Sequence, residues 1–351
     1  MAEDNLTNRQ PILDVIKDIA PERRIAFLRG LCDNSFYHFV KIIGGSVGQG
    51  GVITTEVHKP LCDFYQDVTT KRKCIFTPRN FLKSTIFTEF GTIWRYLQDN
   101  NTRTLIASQN EDIAARFIFF IQNQILNNKL LRKVYPELQR VDENWKRSHR
   151  WSSEMMDLPR PIEYKEASIT SVGVTSAAQS GHYSIVLADD PVGQKHMDSA
   201  TEMERIYRWH DNTKELLENP NYLSPDGGLQ LVVCTHWGLG DYGCYIRDKY
   251  PEYVWRIVPA LKDEGLQDEE NLKWIQNPKA EHDCSNWEGA PGGRSSTAYY
   301  HDMRANAEQN VIFWTQHQNN PHAATSITKF DSNWLRFYHF EDRPDGKYVE
   351  V

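Results

Sequence analysis

Cys74-Ile-Phe-Thr-Pro-Arg-Asn-Phe-Leu-Lys-Ser-Thr85 is the stretch on which the reading of this chain turns. Its apolar start predicts a short strand over 74–77, and Pro78 and Asn80 then break the chain into a turn. Beyond Lys83, the residues Ile86, Phe87, Phe90, Ile93, Trp94 and Leu97 recur on one 3.6-period face, which predicts an amphipathic helix. A turn between a strand and a helix N-terminus gathers backbone N–H groups and the positive end of the helix dipole, a natural anion cradle. Thr77, Pro78, Arg79, Asn80, Phe81, Leu82, Lys83, Ser84 and Thr85 therefore read as a phosphate loop. Lys83 is placed to reach the β and γ phosphates, and the Ser84 hydroxyl to ligate Mg²⁺. Against the pattern G-x-x-x-x-G-K-[ST], both glycines are replaced, by Thr77 and Leu82. A side chain held at positive φ in such a loop costs about 1–3 kcal/mol. The competing reading is an ordinary strand-turn-helix junction whose Lys and Arg are merely solvated.

Outward from this loop, strands and helices alternate. Strands are expected at 103–107, 168–174, 184–188, 229–235 and 253–258, and helices near 110–126, 199–217 and 241–249. In the 110–126 helix, Ile113, Phe117, Phe120, Ile121 and Ile125 are expected to face inward. This order is the signature of an α/β fold with a mostly parallel sheet flanked by helices. Upstream, 11–30 predicts two short helices interrupted by Pro21, and the segment after a glycine-rich turn at 44–51 predicts another helix capped by Thr55. The expected organisation is a small helical subdomain over 1–55, a core over 56–260, and a peripheral insertion with a C-terminal segment over 261–351.

Tyr183-Ser-Ile-Val-Leu-Ala-Asp-Asp-Pro191 is an apolar run ending in two carboxylates, so charge sits at the carboxyl end of a buried strand, where open α/β sheets place their ligands. Asp189 suits a metal shell, and Asp190 suits the orientation or deprotonation of a water. The bland alternative is a turn initiated by Asp-Asp-Pro. A third strand ends in Thr235-His236-Trp237, followed by Asp241; polar groups at the tip of a strand beside the other two could respond to a terminal phosphate.

Composition limits the alternatives. With 351 residues at roughly 100–200 per domain, two or three domains fit. The 47 acidic and 40 basic side chains leave a net charge of −7, so any nucleic-acid contact must be a local patch. Candidate patches are Lys71, Arg72 and Lys73; Lys129, Arg132 and Lys133; and Lys146, Arg147, His149 and Arg150. No apolar run approaches the roughly 18 residues of a membrane span, and the first residues lack the features of a signal peptide. Six scattered cysteines predict reduced, mostly buried thiols.

The ordered set TPRNFLKST, SITSVGVTSAAQSGHYSIVLADDPVG, SATEMERIYRWHDNTKELL, PDGGLQLVVCTHWGLGDYG, WRIVPAL and FWTQHQNNP resembles the large subunit of tailed-phage terminases over roughly residues 50–340. That resemblance implies a P-loop NTPase of the RecA/ASCE type, with ATP and Mg²⁺ as cofactors, that drives double-stranded DNA into a procapsid. It implies as partners the portal protein, the terminase small subunit and further copies of the chain in a ring, with no membrane. The expected location is the host cell cytoplasm, with transient docking on the procapsid. The family's C-terminal nuclease would begin about where FEDRPDGKYVEV ends, so an ATPase portion without it is expected. Position by position, the likeness assigns Lys83 to phosphate, Ser84 and Asp189 to metal, Asp190 to the catalytic carboxylate and Arg79 to a cis arginine. It further assigns Thr235, His236 and Trp237 to the coupling motif, where Thr-Arg-Trp is common, and makes His58 and Tyr65 candidates for adenine contact. Gln179-Ser-Gly-His182 lacks the usual arginine, leaving Arg205 and Arg208 as candidates for a trans arginine. Three other readings compete: a helicase-like translocase, a non-catalytic capsid- or portal-docking module with a degenerate loop, and a metal-dependent nuclease built on Asp189, Asp190, Asp241 and His236.

Overall fold

The computed structural model describes residues 17–47, 53–175, 181–218, 227–261 and 296–321. The predicted strands all form, with ends shifted by a residue or two: β1 (Arg72–Phe76), β2 (Thr104–Ser108), β4 (Ile169–Gly173), β5 (Ile185–Asp189), β6 (Leu229–Cys234) and β7 (Val254–Ile257). The two-residue β3 (Met155–Met156) was not expected. Together they make one seven-stranded sheet in the order β3-β4-β2-β5-β6-β1-β7. Every pair is parallel except β3 with β4.

Strand residues alternate between faces, and each face has its own core. Ile75, Ile106, Leu187 and Val233 face a layer built from α1 (Arg24–Asn34), α2 (Phe36–Ile43), α3 (His58–Gln66), α4 (Gly91–Gln98) and α5 (Glu111–Asn127). Phe76, Ala107, Ala188 and Cys234 face α6 (Ala200–Thr213) and α7 (Tyr242–Lys249). The chain is thus α/β, a mostly parallel sheet flanked by helices. Within α5, Phe117, Ile121 and Ile125 are buried as expected, and Ile113 and Phe120 are partly so.

The N-terminal helices share the core of the sheet instead of closing one of their own. Phe36 packs 4.6 Å from Tyr65 and 5.3 Å from Trp94, and the Trp94 Nε1 donates to the Cys32 carbonyl at 2.9 Å. The cap of α3 differs from expectation. The Thr54 Oγ1 accepts from the Val57 N–H at 3.4 Å, while Thr55 pairs with the Tyr37 hydroxyl at 3.1 Å. At the other end of α3, the Phe64 and Asp67 carbonyls accept from Lys73 Nζ, and the Tyr65 carbonyl accepts from Arg95. Buried cations thereby satisfy carbonyls that a helix end leaves open.

Five cysteines, Cys32, Cys62, Cys74, Cys234 and Cys244, are buried free thiols, as expected; Cys284 lies outside the described residues. So do most of the predicted insertion at 261–297 and the segment beyond 321. Among the described residues no helix is long and apolar enough to cross a membrane.

Candidate functional site

β1 and β5 are separated by β6, and the three end at the same edge of the sheet. The 77–85 loop leaves β1 there. Its backbone is strained: Asn80 has φ 71° and Leu82 φ 57°. Leu82 therefore adopts the left-handed conformation for which the motif normally supplies glycine, and Thr77 does not. Asp190 (φ 40°) and Asn319 (φ 53°) complete the set of non-glycine residues at positive φ among those described, and all four border this one region. Strain of this kind persists where surrounding structure over-determines it, and it concentrates at functional sites.

The loop and the acids meet directly. Lys83 Nζ lies 2.8 Å from Asp190 Oδ2, and Ser84 Oγ donates to Asp189 Oδ1 at 2.9 Å. Thr88, one turn on, donates its hydroxyl to Asp189 Oδ2, and Ser108 Oγ donates to the Asp189 carbonyl at 2.8 Å. Thr88 was not anticipated; its signal in the sequence was a second hydroxyl four residues after Ser84. Asp189 is 1% exposed, and burial together with the neighbouring Asp190 charge raises its pKa against the opposing pull of Lys83, Thr88 and Ser84. Lys83, also buried, stays cationic: burial opposes its charge, but Asp190 and Asp189 outweigh burial and raise its pKa. Half-buried Glu89, on the same helical segment, is pushed up to about 8 by burial and the Asp189 charge.

Around this ion pair, the amides of Asn80, Leu82, Lys83 and Ser84 donate to no other group among the described residues. Such a row of N–H groups beside a lysine can hold an anion. The hydroxyl of Ser84 and the carboxylate of Asp189 are hard oxygen donors that suit a small divalent cation such as Mg²⁺, and a cation would relieve the crowding of two acids.

The tip of β6 contributes on alternate sides. The Thr235 N–H donates to Asp190 Oδ1 at 3.1 Å, and the Arg79 guanidinium lies 4.7 Å over the Trp237 ring, exposed at the rim. His236, between them, turns the other way. Its ring packs 4.6 Å from Phe76, and its Nδ1 sits 3.0 Å from Asp241, which also accepts from the Trp237 and Cys244 amides. His236 thus ties the strand tip to the start of α7 and does not face the ion pair. His236, Asp241 and Cys244 could be taken for a metal cluster, but Asp241 already uses both oxygens in these bonds.

Other sequence candidates fall differently. Tyr65 is 1% exposed, packed on Phe36 and Phe87, and offers no face to a ligand. His58 is equally buried; its Nδ1 accepts from the Thr54 amide at 3.1 Å, and its ring hydrogen-bonds the Phe81 backbone, so it buttresses the loop from behind. Burial lowers its pKa to about 4. Arg205 and Arg208 are exposed on α6 and, among the described residues, pair with Glu202 (2.7 Å) and Glu204 (3.5 Å) of the same helix. Among the basic patches, Lys73 is fully buried, which removes it as a surface contact, and Arg150 is held by Asp157 at 2.8 Å.

A segment with no assigned role joins the site. Residues 313–321 strap across the ends of β6, β1 and β7. The Arg79 amide donates to the Gln316 carbonyl (3.2 Å), the Ala260 amide to the His317 carbonyl (3.0 Å), and the His236 amide to Asn319 Oδ1 (3.2 Å). The signal available in the sequence was its run of amide and imidazole side chains from Gln316 to Asn320. The chain matches no protein-family model and no curated protein.

Proposed function

We propose that this chain is the ATPase portion of a viral DNA-packaging motor, a P-loop NTPase of the terminase large-subunit kind, hydrolysing ATP to move double-stranded DNA into a procapsid. The observation that carries the reading is the joined pair of contacts Lys83–Asp190 and Ser84–Asp189, made between two strand ends that flank a third. The placement of β6 between the loop strand and the acid strand supports the additional-strand type of ATPase.

In this mechanism the free amides of the loop bind the phosphate tail, and Lys83 swings from Asp190 to the β and γ phosphates. Asp190, so released, orients the attacking water and accepts its proton; Thr235 holds that carboxylate through its amide. Ser84 and Asp189 would hold Mg²⁺, which would supply charge neutralisation of the phosphate tail. Arg79, stacked on Trp237 at the rim, can turn inward as the cis arginine. An arginine from a neighbouring copy can contribute about 10³–10⁵ in rate, and Arg205 and Arg208 are exposed to supply it. The isolated chain is accordingly a slow hydrolase that ring assembly with the portal, the small subunit and DNA accelerates.

The engagement of Asp241 by His236 and by two backbone amides speaks against the metal-dependent nuclease built on Asp189, Asp190, Asp241 and His236. The test is calorimetry and phosphate release with the purified chain: wild type binds Mg·ATP and turns it over slowly, and Lys83→Ala abolishes both. A wild type without ATP affinity at any protein concentration overturns the motor and favours the docking module.

A further inference from the structure

Beside the ion pair lies a group of buried polar atoms that have no hydrogen-bond partner among the described residues. Thr77 Oγ1 comes from the loop, Thr235 Oγ1 and Trp237 Nε1 from the tip of β6, and Gln316 Oε1 and His317 Nδ1 from the 313–321 strap. Four of the residues are at least 95% buried: Thr77, Thr235, Gln316 and His317 are 1%, 5%, 5% and 3% exposed. Buried polar groups are normally paired, so unpaired atoms carried on three adjoining elements are suited to a ligand that pairs them. The elements are pinned together by backbone bonds: Thr77 N–H to the Cys234 carbonyl (3.3 Å) and Arg79 N–H to the Gln316 carbonyl (3.2 Å). The charges of Arg79 and Lys83 both act on the His317 ring, and they add to burial in lowering its pKa to about 4. His317 is therefore neutral at rest and can donate from one ring nitrogen. Its other neighbours are the rings of Tyr299 and Tyr300, at 6.3 and 5.3 Å, and the uncharged Ala260.

We infer that Gln316 and His317 are ligand-contacting residues of the nucleotide pocket, closing it on the γ-phosphate side. This rests on the ATPase reading above and deepens it. The side is fixed by Thr235, which belongs to the unpaired group and holds Asp190, the acid that faces the terminal phosphate. His317 donates to a γ-phosphate oxygen between Arg79 and Lys83, and Gln316 accepts from the attacking water. Because the strap also holds the loop through Arg79 and the β6 tip through Asn319, loss of the γ-phosphate releases contacts on both at once.

The experiment compares Mg·ATPγS and Mg·ADP binding to the full chain by calorimetry. In His317→Ala and Gln316→Ala, affinity for ATPγS falls at least tenfold while affinity for ADP stays within twofold. Hydrogen exchange of the 313–321 peptide in wild type supplies a reading that needs no variant: ATPγS protects it more than ADP does. Unchanged ATPγS affinity in both variants, an equal loss for both nucleotides, or equal protection by both overturns the inference. In those cases Lys83→Ala still abolishes binding and the ATPase reading stands, whereas a wild type that binds neither nucleotide ends both.

Discussion

Asp190 shows how much one residue carries here. It sits at φ 40°, accepts from the Thr235 amide and pairs with Lys83, yet its side chain is a third exposed, and Asp189 also faces Lys83. Asp190→Asn is expected to lower ATP turnover at least 100-fold, measured by phosphate release, with ATP affinity within a few-fold and the melting temperature within a few degrees. Leu82 illustrates the cost of a motif without its glycine. A β-branched side chain at φ 57° is far less tolerable than one unbranched at Cβ, so Leu82→Val should lose about 2 kcal/mol in urea unfolding. In Leu82→Gly, relief of strain and loss of the partly buried side chain offset each other to within about 1 kcal/mol.

The helical segment after the loop is where local and tertiary forces part company. Ser84–Phe90 is π-helical, and this widened turn runs into α4 at Gly91. Helix propensity favours alanine over glycine by about 1 kcal/mol, but a Cβ at Gly91 would sit 2.6 Å from the Tyr65 hydroxyl. Gly91→Ala is therefore expected to destabilise by about 1–3 kcal/mol in chemical denaturation, reversing the propensity. Glu89 on the same segment gives a pH signature. Its folded pKa of about 8 lies above the ordinary 4.5, so the folded state holds a proton that the unfolded state has lost. That contribution is full below pH 4.5 and disappears as the pH rises through 8. Glu89→Gln should match wild type in melting temperature near pH 4.5 and exceed it near pH 8.5.

For the molecule as a whole, the two cores place the 77–85 loop with its helix and the exposed arginines of α6 on different layers. The loop helix belongs to the layer of α1–α5, and α6, with Arg205 and Arg208, belongs to the other. In the proposed ring, an arginine exposed on α6 would exchange its intrahelical glutamate for the site of a neighbouring copy. Arg205→Ala/Arg208→Ala double-variant subunits mixed with Lys83→Ala subunits test this, because each kind lacks a different half of a shared site. Turnover per site in the mixture should exceed that of either variant alone; a mixture no faster than its parts rules these arginines out.

Much of this architecture was legible along the chain. Apolar runs, the turn at Pro78 and the paired acids after Ala188 are local patterns, and local patterns suffice for strands, a strand-to-helix turn and two carboxylates at a strand end. Which way His236 faces, the burial of Tyr65 and Lys73, and the placement of the 313–321 segment across the strand ends were not legible. Each depends on the order in which strands lie side by side, and that order is set by burying both faces of the sheet at once, a demand felt only when distant segments pack. The same demand brings Lys83 to Asp190 and lays Gln316 against Arg79, contacts between residues far apart in the chain that no short stretch of sequence encodes.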